Sequence, residues 1–176
     1  MKQQLVISAL GEDRPGIVEE LSHTVLEAGC NVEDSRMTVL GGEFAVLLLV
    51  SGNWAGIAKL EDALDRLAAE AGLTLVHKRT APRPPAADRL PYAVDVVALD
   101  HPGIVYQLAH FFSERNINIE DMVTSSYAAA HTGAPMFSVH MVVEIPADTH
   151  IAALREEFLD FCDELNLDAV MEPVKG

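Results

Sequence analysis

Only two cysteines, one tryptophan, and 12 lysines and arginines set against 27 aspartates and glutamates leave this 176-residue chain without the materials for several common functions. Cys30 and Cys162 are too few and too far apart for a disulfide scaffold or a cysteine metal framework. Nucleic-acid binding draws most of its affinity from lysine and arginine neutralising phosphates, and no basic stripe exists to supply it. The charge is also uneven, net -4 over residues 1–87 and net -11 over residues 88–176. An acidic surface of this kind serves solubility or a basic protein partner. No apolar run is long enough to span a bilayer, and Met1-Lys2-Gln3-Gln4 leads straight into a strand-like run without a charged leader. A cytoplasmic location and no membrane contact are therefore expected.

Catalytic signatures are missing as well. There is no G-x-S-x-G elbow and no phosphate-cradling glycine loop with a lysine. The seven histidines offer no HxH or HxxxH ligand spacing, and His23 stands alone on its helix. Cys30 beside Asn31 reads more readily as a small buried side chain than as a reactive thiol. No catalytic residue, no metal and no cofactor is expected, and the chain is not read as an enzyme.

What the sequence does contain is a repeat. Asp13-Arg14-Pro15-Gly16-Ile17-Val18 returns 87 positions later as Asp100-His101-Pro102-Gly103-Ile104-Val105. Each copy has an apolar run, a charged pair, Pro-Gly and then helical periodicity, the pattern of a strand turning tightly into a helix. Proline suits a first helical turn, where its missing N–H costs nothing. Glycine lets another group approach the free amides at a helix N-terminus, a geometry that holds small carboxylates or phosphates. One such copy would be read as turn punctuation; two in the same register favour function.

Each repeat then runs β-α-β-β-α-β. In the first, Leu5 to Leu10 is a strand; Ile17, Val18, Leu21, Val25 and Leu26 form a helix face that stops at Gly29; Gly41-Gly42 makes a hairpin. A second helix buries Ile57, Leu60, Leu64 and Leu67, stops at Gly72, and leads to a strand over 73–78. The second repeat follows the same course, with a hairpin over 126–135 that is six residues longer. The fold class is α+β: two ferredoxin-like units, each an antiparallel four-stranded sheet with both helices on one face. The boundaries predicted are 1–80 for the first domain, 81–90 for a stiff proline-rich linker and 91–176 for the second.

The other face of each sheet is left open. In the second repeat it alternates towards polar residues such as Ser138 and His140, whereas in the first it carries Ala45, Leu47 and Leu49 beside Val6. Contiguous exposed apolar surface marks an interface, which makes a homo-oligomer or another cover over the first sheet an expectation. The candidate ligand contacts are Asp13, Pro15, Gly16 and Asn31 in the first repeat and Asp100, Pro102, Gly103 and Asn118 in the second. Asparagine offers donor and acceptor together, which suits an amino-acid zwitterion. Asp13 or Asp100 could meet the ammonium or could cap the helix. Turn and asparagine lie at opposite ends of a helix, so the pair is expected to come from neighbouring domains.

These residues carry a resemblance. D-x-P-G-I-V followed by Asn31-Val32-Glu33-Asp34, or Asn118-Ile119-Glu120-Asp121, in two βαββαβ units, resembles the ACT domains, small amino-acid-sensing modules of metabolic regulators. Nearly the whole chain is covered. The resemblance implies an amino-acid-responsive regulator, glycine being the first ligand to consider, with contacts from Pro15-Gly16 or Pro102-Gly103 and from Asn31 or Asn118. Arg14 and His101 differ at matching positions, so the two sites need not be equivalent. It further implies negative transcriptional control through a DNA-binding activator of LysR type rather than through DNA itself. The alternative is a stand-alone module that controls a metabolic enzyme in trans, akin to the ACT segment of a folate-handling hydrolase.

Overall fold

The computed structural model describes every residue except Ala86, within the expected linker, and Gly176, at the end of the expected second domain. The chain forms two compact units, Met1–Pro84 and Pro85–Gly176. The first contains β1 (Gln3–Glu12), α1 (Ile17–Glu27), β2 (Asn31–Leu40), β3 (Glu43–Gly52), α2 (Trp54–Ala71) and β4 (Thr74–Thr80). The second contains β5 (Arg89–Leu99), α3 (Ile104–Glu114), β6 (Asn118–Ala128), β7 (Pro135–Pro146), α4 (Ile151–Glu164) and β8 (Asp168–Pro173). Both sheets are antiparallel, in the orders β2-β3-β1-β4 and β6-β7-β5-β8. The βαββαβ order therefore holds in both units, although β4 runs two residues beyond the expected end at Lys78, and β5 starts at Arg89, three residues before the apolar pattern that opens at Tyr92.

Strand alternation makes each core. Leu5, Ile7 and Ala9 of β1 and Val46, Leu48 and Val50 of β3 point inward against Ile17, Leu21 and Val25 of α1 and Ile57, Leu60 and Leu64 of α2. Each fully buried leucine or isoleucine contributes about 1.5–3 kcal/mol. The α1 stripe is narrower than expected: Val18 and Leu26, one position after Ile17 and Val25, are exposed. The second core differs in kind, with Phe111 against Phe112, Phe158 and Phe161, and Phe112 against Phe158, at ring-centroid distances of 5.0–5.2 Å.

Helix ends follow local chemistry. Asn53 caps α2 by accepting from the Gly56 amide at 2.7 Å, and the His150 Nδ1 does the same for α4 from Ala153 at 3.2 Å. Chain reversal after α1 and α2 uses Gly29 (φ 74°) and Gly72 (φ 68°), and the matching places after α3 and α4 hold Asn116 (φ 55°) and Asn166 (φ 58°). Asparagine is the residue after glycine that tolerates the left-handed region best.

The β2–β3 hairpin closes on Gly41-Gly42, whereas β6 and β7 pair out to Ala128 and Pro135 and leave a loop over 129–134. That loop is held by Ala129 N–H to the Ala134 carbonyl and Gly133 N–H to the Ala129 carbonyl, both 2.9 Å. In each edge strand the register slips by one residue, between Val32 and Asp34 and between Ile119 and Asp121. The shared Asn-[Val/Ile]-Glu-Asp run is thus the signature of a β-bulge, with Glu33 or Glu120 as the extra residue.

Candidate functional site

The Pro-Gly turns are built alike. Strand β1 ends at Glu12, the Asp13 amide donates to the Gly42 carbonyl at 3.2 Å, and Gly16 is the N-cap of α1 with φ 95° and ψ -11°. In the second unit the Asp100 amide donates to the Pro135 carbonyl at 2.9 Å, and Gly103 caps α3 with φ 94° and ψ 0°. A left-handed φ this large excludes most side chains, which is why glycine stands there. The first helical residues are Ile17 and Ile104. Pro15 and Pro102 therefore sit one position before the cap instead of in the first helical turn, because the glycine behind them completes the reversal.

Neither helix start has a side-chain cap, so the capping role considered for Asp13 and Asp100 is not the one they play. The first amides of each helix have no carbonyl a turn earlier to bond, and they meet the positive end of the helix dipole. Around the first turn is an open cavity of about 270 Å³ lined by Asp13 to Glu19 and by Phe44. Arg14 folds over it: its guanidinium lies 2.7 Å from the Glu20 carboxylate and donates to the Pro15 carbonyl at 3.2 Å. His101 uses the same position more simply, with Nδ1 3.1 Å from the Pro102 carbonyl. A Cβ built on Gly103 meets nothing within 4 Å, so the approach to that turn is open.

Asn31 and Asn118 begin β2 and β6, past the far end of the helix from each turn. An 11-residue helix is about 16 Å long, so no single unit brings its own turn and asparagine to one small ligand. Asn118 lines an open cavity of about 460 Å³ with Arg89, Ser113, Asn116 and Ile117 among its neighbours. Arg89 was hidden from sequence reasoning by the proline-rich stretch before it. Near Asn31, the Glu33 carboxylate accepts from the Ser51 hydroxyl and lies 2.6 Å from Lys2 Nζ. Those two partners, the lysine first, hold the Glu33 carboxyl below its ordinary range.

Cys30 and Cys162 are buried free thiols, both pushed up by desolvation, Cys162 to about 12. Neither is activated as a nucleophile. Among the described residues no group of three or more His, Cys, Asp or Glu is placed to hold a metal ion, and no helix is long and apolar enough to cross a membrane.

Comparison with known proteins agrees with this architecture. A profile of the ACT domain matches residues 3–78. The glycine cleavage system transcriptional repressor of Escherichia coli K12 is 37% identical over 164 residues, spanning 92% of this chain and 85% of the repressor. UPF0237 protein MK1213 of Methanopyrus kandleri is 36% identical over 73 residues, 40% of this chain and 81% of that protein. Among solved structures, one provisionally assigned as a glycine cleavage system transcriptional repressor superposes with a TM-score of 0.74 at 30% identity, covering 100% of this chain and 99% of its own. A structure described as an unknown protein from Galdieria sulphuraria reaches 0.78 at 28% identity, covering 99% of this chain and 100% of its own.

Proposed function

From the premise that this chain belongs to the family of the glycine cleavage system transcriptional repressor, a tandem of ACT-type units, we propose that it is a negative regulator of the glycine cleavage system that responds to a small amino acid. It is a regulatory protein, not an enzyme. The observation that carries the reading is the 37% identity to the repressor over 92% of the chain. Control passes through a DNA-binding activator, of LysR type as the family resemblance implies; the net charge of -15, which leaves the chain able to neutralise few phosphates by itself, supports an indirect route. The ligand is a small amino acid, glycine first. Its carboxylate takes the open amides behind Pro15-Gly16 or Pro102-Gly103, where the helix dipole adds about 0.3–1 kcal/mol. Asp13 or Asp100 faces the ammonium, and Asn31 or Asn118, from a different ACT unit than the turn, completes the shell.

Titration of the full chain with glycine and the other common amino acids tests this. Ligand at about 100 times its dissociation constant should stabilise the fold by roughly 2.7 kcal/mol. Gly103→Val should abolish the shift and Asn118→Ala should weaken it; Gly16→Val and Asn31→Ala report on the first copy. No rise in melting temperature with any amino acid at millimolar concentration would remove the sensing role. A pull-down that returns a metabolic enzyme in place of a LysR-type activator would favour control of that enzyme in trans.

A further inference from the structure

The sheet face of the first unit that points away from α1 and α2 is apolar, and its pattern is self-complementary. The register lays Asp34, Leu49, Val6 and Lys78 in one row across β2, β3, β1 and β4. The next row is Arg36, Leu47, Ser8 and Val76, and in the third Ala45 lies beside Leu10. Val6 is 39% exposed, Leu10 44%, Leu47 51% and Val76 66%, an unbroken patch instead of scattered residues.

Consider a second copy of the chain laid face to face on this sheet by a half-turn about an axis running along the strands. The half-turn reverses the strand order, so β4 of the second copy lies over β2 and its β1 over β3. Each row then meets its own reverse. Asp34 faces Lys78 of the second copy and Leu49 faces Val6. Large side chains meet small ones in the other rows, Leu47 over Ser8 and Leu10 over Ala45, which is how stacked sheets interdigitate. Lys78 has no ion-pair partner among the described residues, and Asp34, already 2.6 Å from Arg36, retains oxygens for a second cation. At the far end of the face Glu12 and Glu43, which pair with each other, meet the second copy's Glu43 and Glu12, and that repulsion weakens the contact.

Charge also selects this face among the alternatives. A chain of net -15 repels its own copy over most of its surface. The equivalent face of the second unit places Asp95, Asp121, Asp168 and Glu172 on the open side with His140, and two such faces would oppose carboxylates. The first unit's face sets Asp34 against Arg36 and Lys78 around an apolar centre.

We propose that this face joins two copies of the chain as an isologous dimer, with β2 of each copy over β4 of the other. The inference is independent of any amino-acid ligand. From strand spacing and rise the patch is roughly 300–400 Å² in plan, below the ~800 Å² per partner of a standard stable interface. The dimer is therefore weak and reversible.

Sedimentation velocity on the full chain between roughly 1 and 200 µM, the range in which so small an interface dissociates, is the test. Wild type should pass from monomer to dimer. Leu47→Glu, at a half-exposed position that the folded unit tolerates, should remain monomeric throughout. Asp34→Lys and Lys78→Asp should each raise the dissociation constant at least tenfold, and an equal mixture of the two should dimerise again with one of each chain, because every opposed pair is then of opposite sign. A wild-type chain that stays monomeric, a Leu47→Glu variant that dimerises normally, or a mixture no better than its components would each overturn the proposal.

Discussion

Set side by side, the two units keep the same backbone and fill it differently. Where the first has Cys30 just before β2 and Gly52 at the end of β3, the second has Ile117 and Ile145, and of the four all but the half-buried Gly52 are buried. A Cβ on Gly52 would lie 2.7 Å from Cys30 Sγ, so the thiol occupies the space that a side chain on the neighbouring strand takes in the other unit. The helices over the first sheet bury aliphatic side chains, and those over the second interlock phenylalanines. Glycine-terminated helices become asparagine-terminated ones. What does not change is the pair of left-handed glycines at the turns and the one-residue bulge in each edge strand. Core volume can be redistributed as long as the total is kept, whereas a backbone reversal admits few substitutes.

Four perturbations sharpen that contrast. The largest effect belongs to the aromatic core: Phe158→Ala should cost about 3–5 kcal/mol, and Leu60→Ala in the aliphatic core about 2–5 kcal/mol. Denaturant midpoints at unchanged slope measure both, and equal losses would mean that aromatic interlock adds nothing to burial. Next is Gly52→Ala, which forces a clash worth about 1–3 kcal/mol. Adding Cys30→Ala should recover most of that loss, and failure to recover would show that the glycine answers to the backbone and not to the thiol. Converting a helix end of the first unit into that of the second, Gly72→Asn, should change the stability by no more than about 1 kcal/mol, while Gly72→Val should cost about 1–2 kcal/mol. The smallest effect is electrostatic. Glu33, beside Lys2 and Ser51, has its carboxyl lowered in the folded chain. Its stabilisation is therefore present above the ordinary carboxylate range and lost as pH falls through the depressed value. Glu33→Gln should melt slightly below wild type at neutral pH and with it in acid.

The repeat made the order of elements legible from sequence, because two copies of strand, Pro-Gly and helix leave little freedom in how they fold. Local detail was less visible. Val18 and Leu26 fit a helical stripe by spacing, yet a short helix lying on a sheet buries only a narrow line of side chains. Pro15 and Pro102 suggested a first helical residue, and the left-handed cap behind them moved the helix on by two. Arg89 beside Asn118 carried no signal, since a strand starting just after prolines does not announce itself. For the candidate site, the turn and the asparagine were each recognisable, and the length of α1 and α3 keeps them apart within a unit.

The bulge at Glu33 has a consequence for the parity of the edge strand. Asn31 pairs with Ser51, and Asp34, Arg36 and Thr38 pair with Leu49, Leu47 and Ala45, so residues of odd and even number share one side of the sheet. Counting by twos fails at one place, and the extra residue absorbs the error. Deleting Glu33 would restore strict alternation with Asn31, Asp34, Arg36 and Thr38 all still on their present side, and would take away only the bend and extra twist that a bulge gives the edge strand. The second unit has the same bend at the same place, with Glu120 between Ile119 and Asp121, so the edge of each sheet is turned away from straight pairing by one residue.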